Sequence, residues 1–539
     1  MKSVVTLEDA LIAHYELARF TIDTPHGYLG SDGRMIARIP PANIEWSVEW
    51  GKLILTWWDE EQSQNLRISG YLIEENRVVV RGLRGLVTEP LVVVIGREVE
   101  GEGPALESGP EGLPARRIWY SERLAGILRR DLPAVRIQSR SVAPAHRHHV
   151  PGRYTRMKLS RRGETILAIG VSEAEDQSTI DGIVAAGLVW LQSFNDARDR
   201  AARARQLWFF VPRTRARTVT ERLALLRIGQ GEAEASCFEV DEARGEMAMV
   251  RPVSQLELLT SYPHELLWPD LAGLVGGLDE IGGEWHRRIL EIAPEVIEPR
   301  YRPGRQVIAY SVHGLEFARL PINDWRSAEF GVNGDPEQSR RRGRALTERS
   351  LPALHQLVRR LIAIRSAESA DHRHPFYRLR SEGWLESLLR RDIQALDPRL
   401  DSRYVYSQVP SWHADERSVI DLLAIKDDRI DDPDRGRLVV IEIKAAEDPQ
   451  LPLQGLDYWL RVEQARVRGE FGRRGLFAGA RIADRPPLLY LVAPRLRFHR
   501  SFTAISRSLH PQVEAWRVGL NSNWRESVRV RSFELLPDL

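Results

Sequence analysis

Two carboxylates and one amine lie in the C-terminal third of the chain, in runs that otherwise read as apolar strands. Asp421 interrupts the run 418–425, and Glu442 and Lys444 interrupt the run 437–444. Burying an ionised carboxylate is costly unless a cation or hydrogen bonds compensate for it. Because side chains alternate along a strand, Glu442 and Lys444 share one face. The pattern indicates a compact polar site that can hold a divalent cation beside an ammonium group.

The surrounding segments predict a regular order of elements that brings these residues together. The charged turn Asp427–Gly436 favours an antiparallel hairpin, which sets Asp421 beside Glu442. The predicted elements are a helix at Trp384–Leu396, strands at Tyr404–Val409, Val419–Ile425 and Leu438–Lys444, a helix at Leu453–Gln464 and a strand at Leu488–Val492.

Motif and element order together resemble the PD-(D/E)XK, or restriction-endonuclease-like, nuclease superfamily. The motif stands here as Ile420-Asp421 and Glu442-Ile443-Lys444, and the resemblance covers residues 379–539. It implies that Asp421, Glu442 and the Ile443 carbonyl oxygen bind Mg²⁺ or Mn²⁺. It also implies that Lys444 positions or deprotonates the hydrolytic water. Only five of the 77 basic residues are lysine, so a lysine here suggests a need for a compact ammonium group.

The resemblance implies roles for two helical residues as well. Gln454 matches a position where many members carry an assisting glutamine. Glu386 matches a frequently acidic position that can bind a second metal ion or its waters. Tyr458 and Trp459 follow Gln454 closely and are expected to shape the cleft.

Each of these residues also has a plain structural interpretation. Glu442 and Lys444 can form an ion pair on a solvated face of a sheet, although this leaves Asp421 unexplained. Glu386 can be an ordinary exposed helix residue. Gln454 can be a polar residue at a helix start, after Pro452.

The middle of the chain repeats the same order of elements, which indicates an internal duplication. The matching pairs are Leu124–Asp131 with Leu385–Asp392, Ile166–Ile169 with Leu438–Ile441, Asp181–Ile183 with Gln454–Leu456, and Leu207–Arg213 with Leu488–Arg495.

This alignment predicts that the first copy is inactive. It sets Gly170 against Glu442, Ser172 against Lys444, Ala125 against Glu386 and Asp181 against Gln454. The strand Tyr154–Leu159 has no carboxylate in the place of Asp421. Arg156 and Lys158 either supply positive charge for a phosphate there or belong to an ordinary surface strand. Two related folds in one chain are expected to pair as an internal pseudo-dimer, with a homodimer as the alternative.

Composition restricts the remaining possibilities. The net charge of +2 means that a nucleic-acid surface must be a local patch. The candidate patches are Arg340–Arg344, Arg466–Arg474 and Arg495–Arg500, each of which can also be a solvated surface. The single Cys237 excludes an intramolecular disulfide and a cysteine-based zinc site. His146–His149 is interpreted as a polar loop. Without a signal peptide or a membrane-spanning run, we expect a soluble, cytoplasmic protein with no membrane partner.

The predicted fold class is α/β, with two restriction-endonuclease-like domains, each a mixed central sheet flanked by helices, and a β-rich N-terminal domain. The predicted domains are the β-rich domain at 1–110, an inactive nuclease-like domain at 115–255, a connecting segment at 256–378 with a hairpin at Gln306–Leu320 and a basic helix at Glu337–Ser366, and a nuclease domain at 379–539.

The expected function is Mg²⁺-dependent hydrolysis of phosphodiester bonds, with DNA as the expected substrate. Two alternatives remain open at this point. One is a non-catalytic component that binds nucleic acid or protein and keeps a relic nuclease fold. The other is a nuclease for structured RNA.

Overall fold

The structure is a computed structural model of the 539-residue chain. It describes residues 2–4, 6–22, 27–31, 34–39, 44–49, 52–58, 63–74, 77–84, 89–97, 113–142, 153–199, 202–228, 233–260, 283–302, 306–322, 324–332, 343–413, 416–427 and 435–536. The chain divides into two compact units, one formed by Met1–Arg116 with Gly282–Arg380 and the other by Arg117–Ile281 with Ser381–Leu539. Both units are mixtures of helices and sheets. No helix in the described ranges is long and apolar enough to cross a membrane.

The N-terminal segment forms an antiparallel sheet with one helix, which confirms the predicted β-rich character. The sheet order is β3-β2-β8-β7-β6-β5-β4, and β1 pairs with β6. Helix α1 was not predicted; it buries Ala10, Ala13 and Leu17, at helical spacing, in the core of this sheet. The elements are β1 Lys2–Ser3, α1 Leu7–Ile22, β2 Gly27–Ser31, β3 Arg34–Ile39, β4 Ile44–Glu49, β5 Lys52–Trp58, β6 Ser63–Ile73, β7 Arg77–Arg84 and β8 Glu89–Arg97.

The first copy forms a six-stranded sheet in the order β14-β13-β12-β11-β10-β9. Strands β9, β10 and β11 are antiparallel, β11, β12 and β13 are parallel, and β14 is antiparallel to β13. The elements are α2 Leu113–Asp131, β9 Arg136–Ser141, β10 Thr155–Arg161, β11 Glu164–Gly170, α3 Gln177–Asp181, α4 Ile183–Asp196, β12 Gln206–Pro212, α5 Ala216–Ala224, β13 Glu234–Asp241, β14 Glu246–Met249 and α6 Gln255–Thr260.

The connecting segment contains the predicted hairpin, which turns at His313 and Gly314 with positive φ at both. The predicted helix at 337–366 is wrong in its first half. Arg344 lies in strand β19 and the helix begins only at Leu351, where Pro352 fits the first turn. Arg340–Arg342 lie outside the described residues. The elements are α7 at 283–290, β15 Ile297–Arg302, β16 Val307–Val312, β17 Leu315–Pro321, β18 Glu329–Phe330, β19 Arg344–Ala345, α8 Leu351–Ile364 and α9 Pro375–Arg378.

The second copy has the predicted order of helices and strands. Its main sheet order is β20-β21-β22-β24-β25-β26, with β23 paired to β22. Strands β20 to β22 are antiparallel, β22, β24 and β25 are parallel, and β26 is antiparallel to β25. The elements are α10 Ser381–Arg391, β20 Leu400–His413, β21 Glu416–Asp427, β22 Arg435–Ile443, α11 Leu451–Val467, α12 Glu470–Arg473, β23 Arg481–Ile482, β24 Leu488–Pro494, α13 Phe502–Ser506, β25 Ala515–Leu520 and β26 Val530–Leu536.

The two copies therefore share one topology, and they pack against each other through equivalent helices. Helix α4 packs on α13 and α11 packs on α5, around one continuous apolar core. At the centre, Arg227 donates its backbone N–H to Ser508 and His510 donates its backbone N–H to Leu225. This reciprocal exchange has the form of a pseudo-twofold contact.

Two buried ion pairs cross the same contact. Arg222 of α5 binds Asp457 of α11, with a shortest N–O distance of 2.7 Å. Arg461 of α11 binds Glu221 of α5 at 2.5 Å. Removing water from these charges is tolerated because each one meets an opposite charge directly.

Candidate functional site

Strands β21 and β22 bring Asp421 and Glu442 to the same place on one sheet. Leu422 pairs with Ile441, so the register carried one residue further sets Asp421 opposite Glu442. Residues directly opposite each other in an antiparallel pair point to the same face, with Cβ atoms about 5 Å apart. Asp421 Oδ2 also accepts the backbone N–H of Ile443 at 2.9 Å. The two carboxylates therefore do not lie on opposite faces.

Glu442 and Lys444 form an ion pair inside the protein. Lys444 Nζ donates to Glu442 Oε1 at 2.9 Å, and Lys444 is only 8% exposed and Glu442 only 2%. The backbone N–H of Lys444 donates to Val492 O on β24, which fixes the end of β22. The pair is thus buried at the carboxyl ends of the parallel strands β22 and β24 and does not lie on a solvated surface.

The site contains two acidic side chains, Asp421 and Glu442, and one basic side chain, Lys444. Burial raises the pKa of Asp421, and the neighbouring Glu442 charge raises it further. Burial also raises the pKa of Glu442, although Lys444 opposes the rise. Burial alone would lower the pKa of Lys444, but the charges of Glu442, Glu382 and Asp421 outweigh it and keep the ammonium protonated. One buried and one partly buried carboxylate thus share one cation.

The donor set fits a hard divalent cation. The second carboxylate oxygen of Glu442, Oε2, is buried and has no hydrogen-bond partner in the part of the chain that the structure describes. An unsatisfied buried oxygen beside a second carboxylate is the kind of position that a cation stabilises. Among the described residues, no group of three or more His, Cys, Asp or Glu side chains forms a metal cluster. Two carboxylates with a backbone carbonyl suit Mg²⁺, which keeps several waters.

Helix α11 lies against this face of the sheet and carries two predicted residues. Gly455 allows the close approach, because a Cβ there would lie 2.6 Å from a methyl carbon of Leu491. Tyr458 is buried, and burial followed by the charges of Glu442 and Asp421 raises its pKa. Gln454 lies one turn earlier on the same side of the helix. Its buried Oε1 atom has no partner among the described residues.

Trp459 was expected to shape the cleft, and the structure corrects this expectation. Its indole N–H donates to the carbonyl of Pro487 at 2.8 Å, and the side chain is fully buried in the core that the two copies share. Pro487 precedes β24, so the Trp459 indole lies at the opposite end of that strand from Val492, which is bonded to Lys444.

Helix α10 carries the predicted Glu386 and, one turn earlier, a second acidic residue, Glu382. Glu386 is buried and accepts a hydrogen bond from Gln408 Nε2 at 2.8 Å. The charge that acts on Asp421, Glu442 and Lys444 comes instead from Glu382. Sequence reasoning missed Glu382 because residues four apart share a helix face, so the pattern cannot tell which turn lies nearer the site.

The structure also shifts the predicted alignment of the two copies by one residue. Gly170 was set against Glu442, but Gly170 faces Tyr120, on the opposite side of the sheet from the shared core. The backbone bond from Lys444 to Val492 has its counterpart in the bond from Val171 to Phe210. Val171 and Ile169 therefore occupy the places of Lys444 and Glu442, and Ser172 does not. A shift of one residue reverses the face of every side chain in a strand.

The place of Asp421 is taken by Arg156 in the first copy. Arg156 pairs with Ile169 in the β10–β11 register, just as Asp421 lies opposite Glu442. The Arg156 guanidinium is buried and lies 5.9 Å from the ring centroid of Trp190, and burial lowers its pKa. Lys158 lies over Phe194. One cation and two apolar residues thus replace the two carboxylates and the lysine.

The helices α4 and α11 are likewise offset from the predicted alignment. Gly187 approaches Phe209 in the first copy in the way that Gly455 approaches Leu491 in the second. This equivalence sets Ala186, and not Asp181, against Gln454. The Asp181 side chain is instead bonded to Gln177, and its carbonyl accepts from Arg222.

Most of the predicted basic runs are occupied by internal contacts or lie outside the described residues. Arg466 binds Glu463 and Asp484, and Arg468 pairs with Glu470. The run His146–His149 is not among the described residues. Of the two runs that are described in full, 466–474 and 495–500, the second carries exposed arginines at both ends.

No protein-family model matches this chain, and none of the curated proteins matches its sequence significantly. The function must therefore be inferred from the residues of the site and their geometry.

Proposed function

We propose that this protein is a Mg²⁺- or Mn²⁺-dependent nuclease that hydrolyses phosphodiester bonds, with DNA as its expected substrate. In this proposal the second copy is a PD-(D/E)XK domain of the restriction-endonuclease-like type, and the first copy is its inactive counterpart. The observation that carries the proposal is the carboxylate pair Asp421 and Glu442, the first partly buried and the second fully, with an unpartnered oxygen on Glu442 and the Lys444 ammonium beside it.

The metal ligands in this proposal would be Asp421, Glu442 and the carbonyl oxygen of Ile443. Such an ion would lower the pKa of a coordinated water and would neutralise negative charge on the attacked phosphate. Both carboxylates must be ionised to bind it, which the raised pKa values oppose in the free protein. A bound cation would favour the ionised form of both carboxylates and so oppose the burial that raises their pKa values.

Lys444 enters the reaction as an ammonium group, because the acidic side chains around it raise its pKa. In that form it can donate hydrogen bonds to the hydrolytic water and to a phosphate oxygen, and it can stabilise developing negative charge. Gln454 can orient the same water through its unpartnered amide oxygen. Tyr458, on the same side of α11, supplies a hydroxyl donor at the wall of the site.

Two further observations support the proposal. Strand β22 pairs antiparallel with β21 on one side and parallel with β24 on the other. The polar groups at its end therefore lie at the carboxyl ends of two parallel strands. Ligand sites in open α/β sheets are found at such ends. The order of helices and strands around it is the order that the resemblance implies.

The test is cleavage by the purified full chain of linear, circular and single-stranded DNA and of structured RNA, with Mg²⁺ or with EDTA. Glu442→Gln and Lys444→Met should each lower the cleavage rate by about 10³-fold in protein that remains folded. Lys158→Met in the first copy is the matched control and should cleave normally.

Several outcomes decide between the functions. Unchanged cleavage by Glu442→Gln or Lys444→Met would refute the site. Cleavage of RNA alone would identify a structured-RNA nuclease. Nucleic-acid binding by the wild type without cleavage of any substrate would identify a non-catalytic component.

A further inference from the structure

The segment 495–500 begins at the same sheet edge as the candidate site. Strands β22 and β24 are parallel neighbours, and Lys444 is bonded to Val492 at the end of β22. Arg495 follows Val492 by three residues, which spans at most about 10 Å of extended chain. The segment therefore starts within reach of a substrate that occupies the site.

The backbone of this segment is held in place by aromatic packing. Phe498 contacts Phe502 with ring centroids 4.7 Å apart, and the Arg517 guanidinium lies 4.4 Å from the Phe498 ring. His499 Nδ1 bonds Ser501 Oγ at 2.7 Å. Phe498 and His499 thus fix the segment without any help from its arginines.

Arg495, Arg497 and Arg500 are exposed, and within the described ranges none of the three forms an ion pair. Other arginines of the second copy behave differently, since Arg466 and Arg468 are neutralised by acidic neighbours. Three uncompensated guanidinium groups on an ordered segment form a local positive patch in a nearly neutral chain.

The first copy provides an internal comparison for this patch. Arg213 follows Pro212 at the end of β12, as Arg495 follows Pro494 at the end of β24. Arg213 pairs with Asp241 at 3.3 Å, and helix α5 begins at Ala216. The first copy therefore lacks the longer segment, and at the equivalent edge it carries one exposed arginine, Arg215, whose side chain donates to Gln177 rather than to an acidic residue.

We propose that residues 495–500 form a phosphate-binding loop that holds the backbone of the substrate nucleic acid against the site. This inference rests on the proposed function for its orientation, but it concerns binding and can be tested without cleavage. Arg495, Arg497 and Arg500 contact three phosphates, and each contact releases condensed counterions. Arginine suits this role because its planar group binds phosphate oxygens bidentately.

Leu496 adds an apolar contact at the centre of the loop. It is 78% exposed and lies between Arg495 and Arg497. An exposed apolar side chain between phosphate contacts can pack against a sugar or insert beside a base. It contributes to affinity without releasing counterions.

The experiment measures equilibrium binding of a 20-base-pair DNA duplex, the matching RNA duplex and the single DNA strand, in EDTA, over a range of salt concentrations. The triple variant Arg495→Gln/Arg497→Gln/Arg500→Gln should lower the slope of log affinity against log salt by about 2 to 3. Leu496→Ser should weaken binding severalfold and leave the slope unchanged. Which of the three nucleic acids loses the most affinity identifies the substrate backbone.

Arg213→Gln and Arg466→Gln are the matched controls, and neither should change the slope. The phosphate-binding role of the loop would be overturned by an unchanged slope in the triple variant, or by a loss of slope in the two controls as large as in the triple variant. Wild-type protein that binds none of the three nucleic acids would overturn it as well. Binding and cleavage separate the two proposals. If the triple variant loses slope but the wild type never cleaves, the loop is supported and the nuclease is refuted. If the wild type cleaves but the slope of the triple variant is unchanged, the nuclease is supported and the loop is refuted.

Discussion

The two copies in the second unit have the same six-strand order, and they differ most where β21 and β22 of one correspond to β10 and β11 of the other. Asp421 is replaced by Arg156. Glu442 and Lys444 are replaced by Ile169 and Val171, both of them buried. The comparison teaches that the scaffold does not depend on the polar site, because apolar residues fill the same positions without altering the strand pairing.

A second difference lies at the neighbouring sheet edge. The first copy passes from β12 to α5 with a paired Arg213, whereas the second inserts the loop 495–500 before α13. Site and loop are thus present together in one copy and absent together from the other. This is the distribution expected if one copy acts on a substrate and the other supports it.

The largest expected effect comes from replacing Asp421 of the second copy by arginine, the residue at the equivalent position of the first copy. Asp421→Arg places a cation where the proposed metal ion would bind, so we expect loss of Mg²⁺ binding and a fall in cleavage on the order of 10³-fold. Calorimetric titration with Mg²⁺ and a cleavage assay check this. Arg156→Gln is the control and should leave both unchanged. An Asp421→Arg protein that still cleaves would remove the distinction between the copies.

The next effect concerns the contact between the copies. Asp457→Leu leaves the buried Arg222 guanidinium without its carboxylate, which should lower the free energy of unfolding by about 3–5 kcal/mol. Urea denaturation measures the loss. The double variant Arg222→Met/Asp457→Leu should recover most of it, and Asp484→Ala, at an exposed pair, should change little. Equal stability of the single and double variants would show that Arg222 does not need this carboxylate.

A smaller difference is expected between two equivalent glycines. A methyl group at Gly187 would lie 2.6 Å from a ring carbon of Phe209, whereas one at Gly455 would meet the movable side chain of Leu491. We expect Gly187→Ala to destabilise by about 1–3 kcal/mol and Gly455→Ala by less, because leucine can change rotamer. Denaturation curves of the two variants decide this. The opposite ranking would contradict the structural equivalence of the helices.

The smallest effect is a pH dependence at the centre of the contact. Burial and then the charge of Arg227 lower the pKa of His510 below its usual value of 6.5. A lowered pKa means that its contribution to stability is present above 6.5 and is lost as pH falls through the lower folded value. The thermal midpoint should therefore fall slightly between pH 7 and pH 5. His510→Gln should show a smaller fall, and an identical fall would rule out this histidine as the cause.

The order of the main elements that carry the site, from α10 to β24, could be predicted from local patterns. The strand that leads to Glu442 and Lys444 was predicted within three residues of its observed bounds, because a hydrophobic run with β-branched residues ends in charged turns. The alignment between the copies could not be predicted to the residue. A gap of one residue in a loop leaves every local pattern intact but reverses the strand face.

Alone, the sequence determined which side chains could do chemistry and that Glu442 and Lys444 must share a face, because alternation is a property of the extended backbone. Tertiary structure decided that the Glu382 charge acts on the site, that the lysine is buried, and that Arg156 occupies the place of Asp421. It also decided that Glu221 and Arg222 meet Arg461 and Asp457, more than 200 residues away along the chain. Such pairings depend on how two folded sheets and their helices meet, which no local spacing encodes.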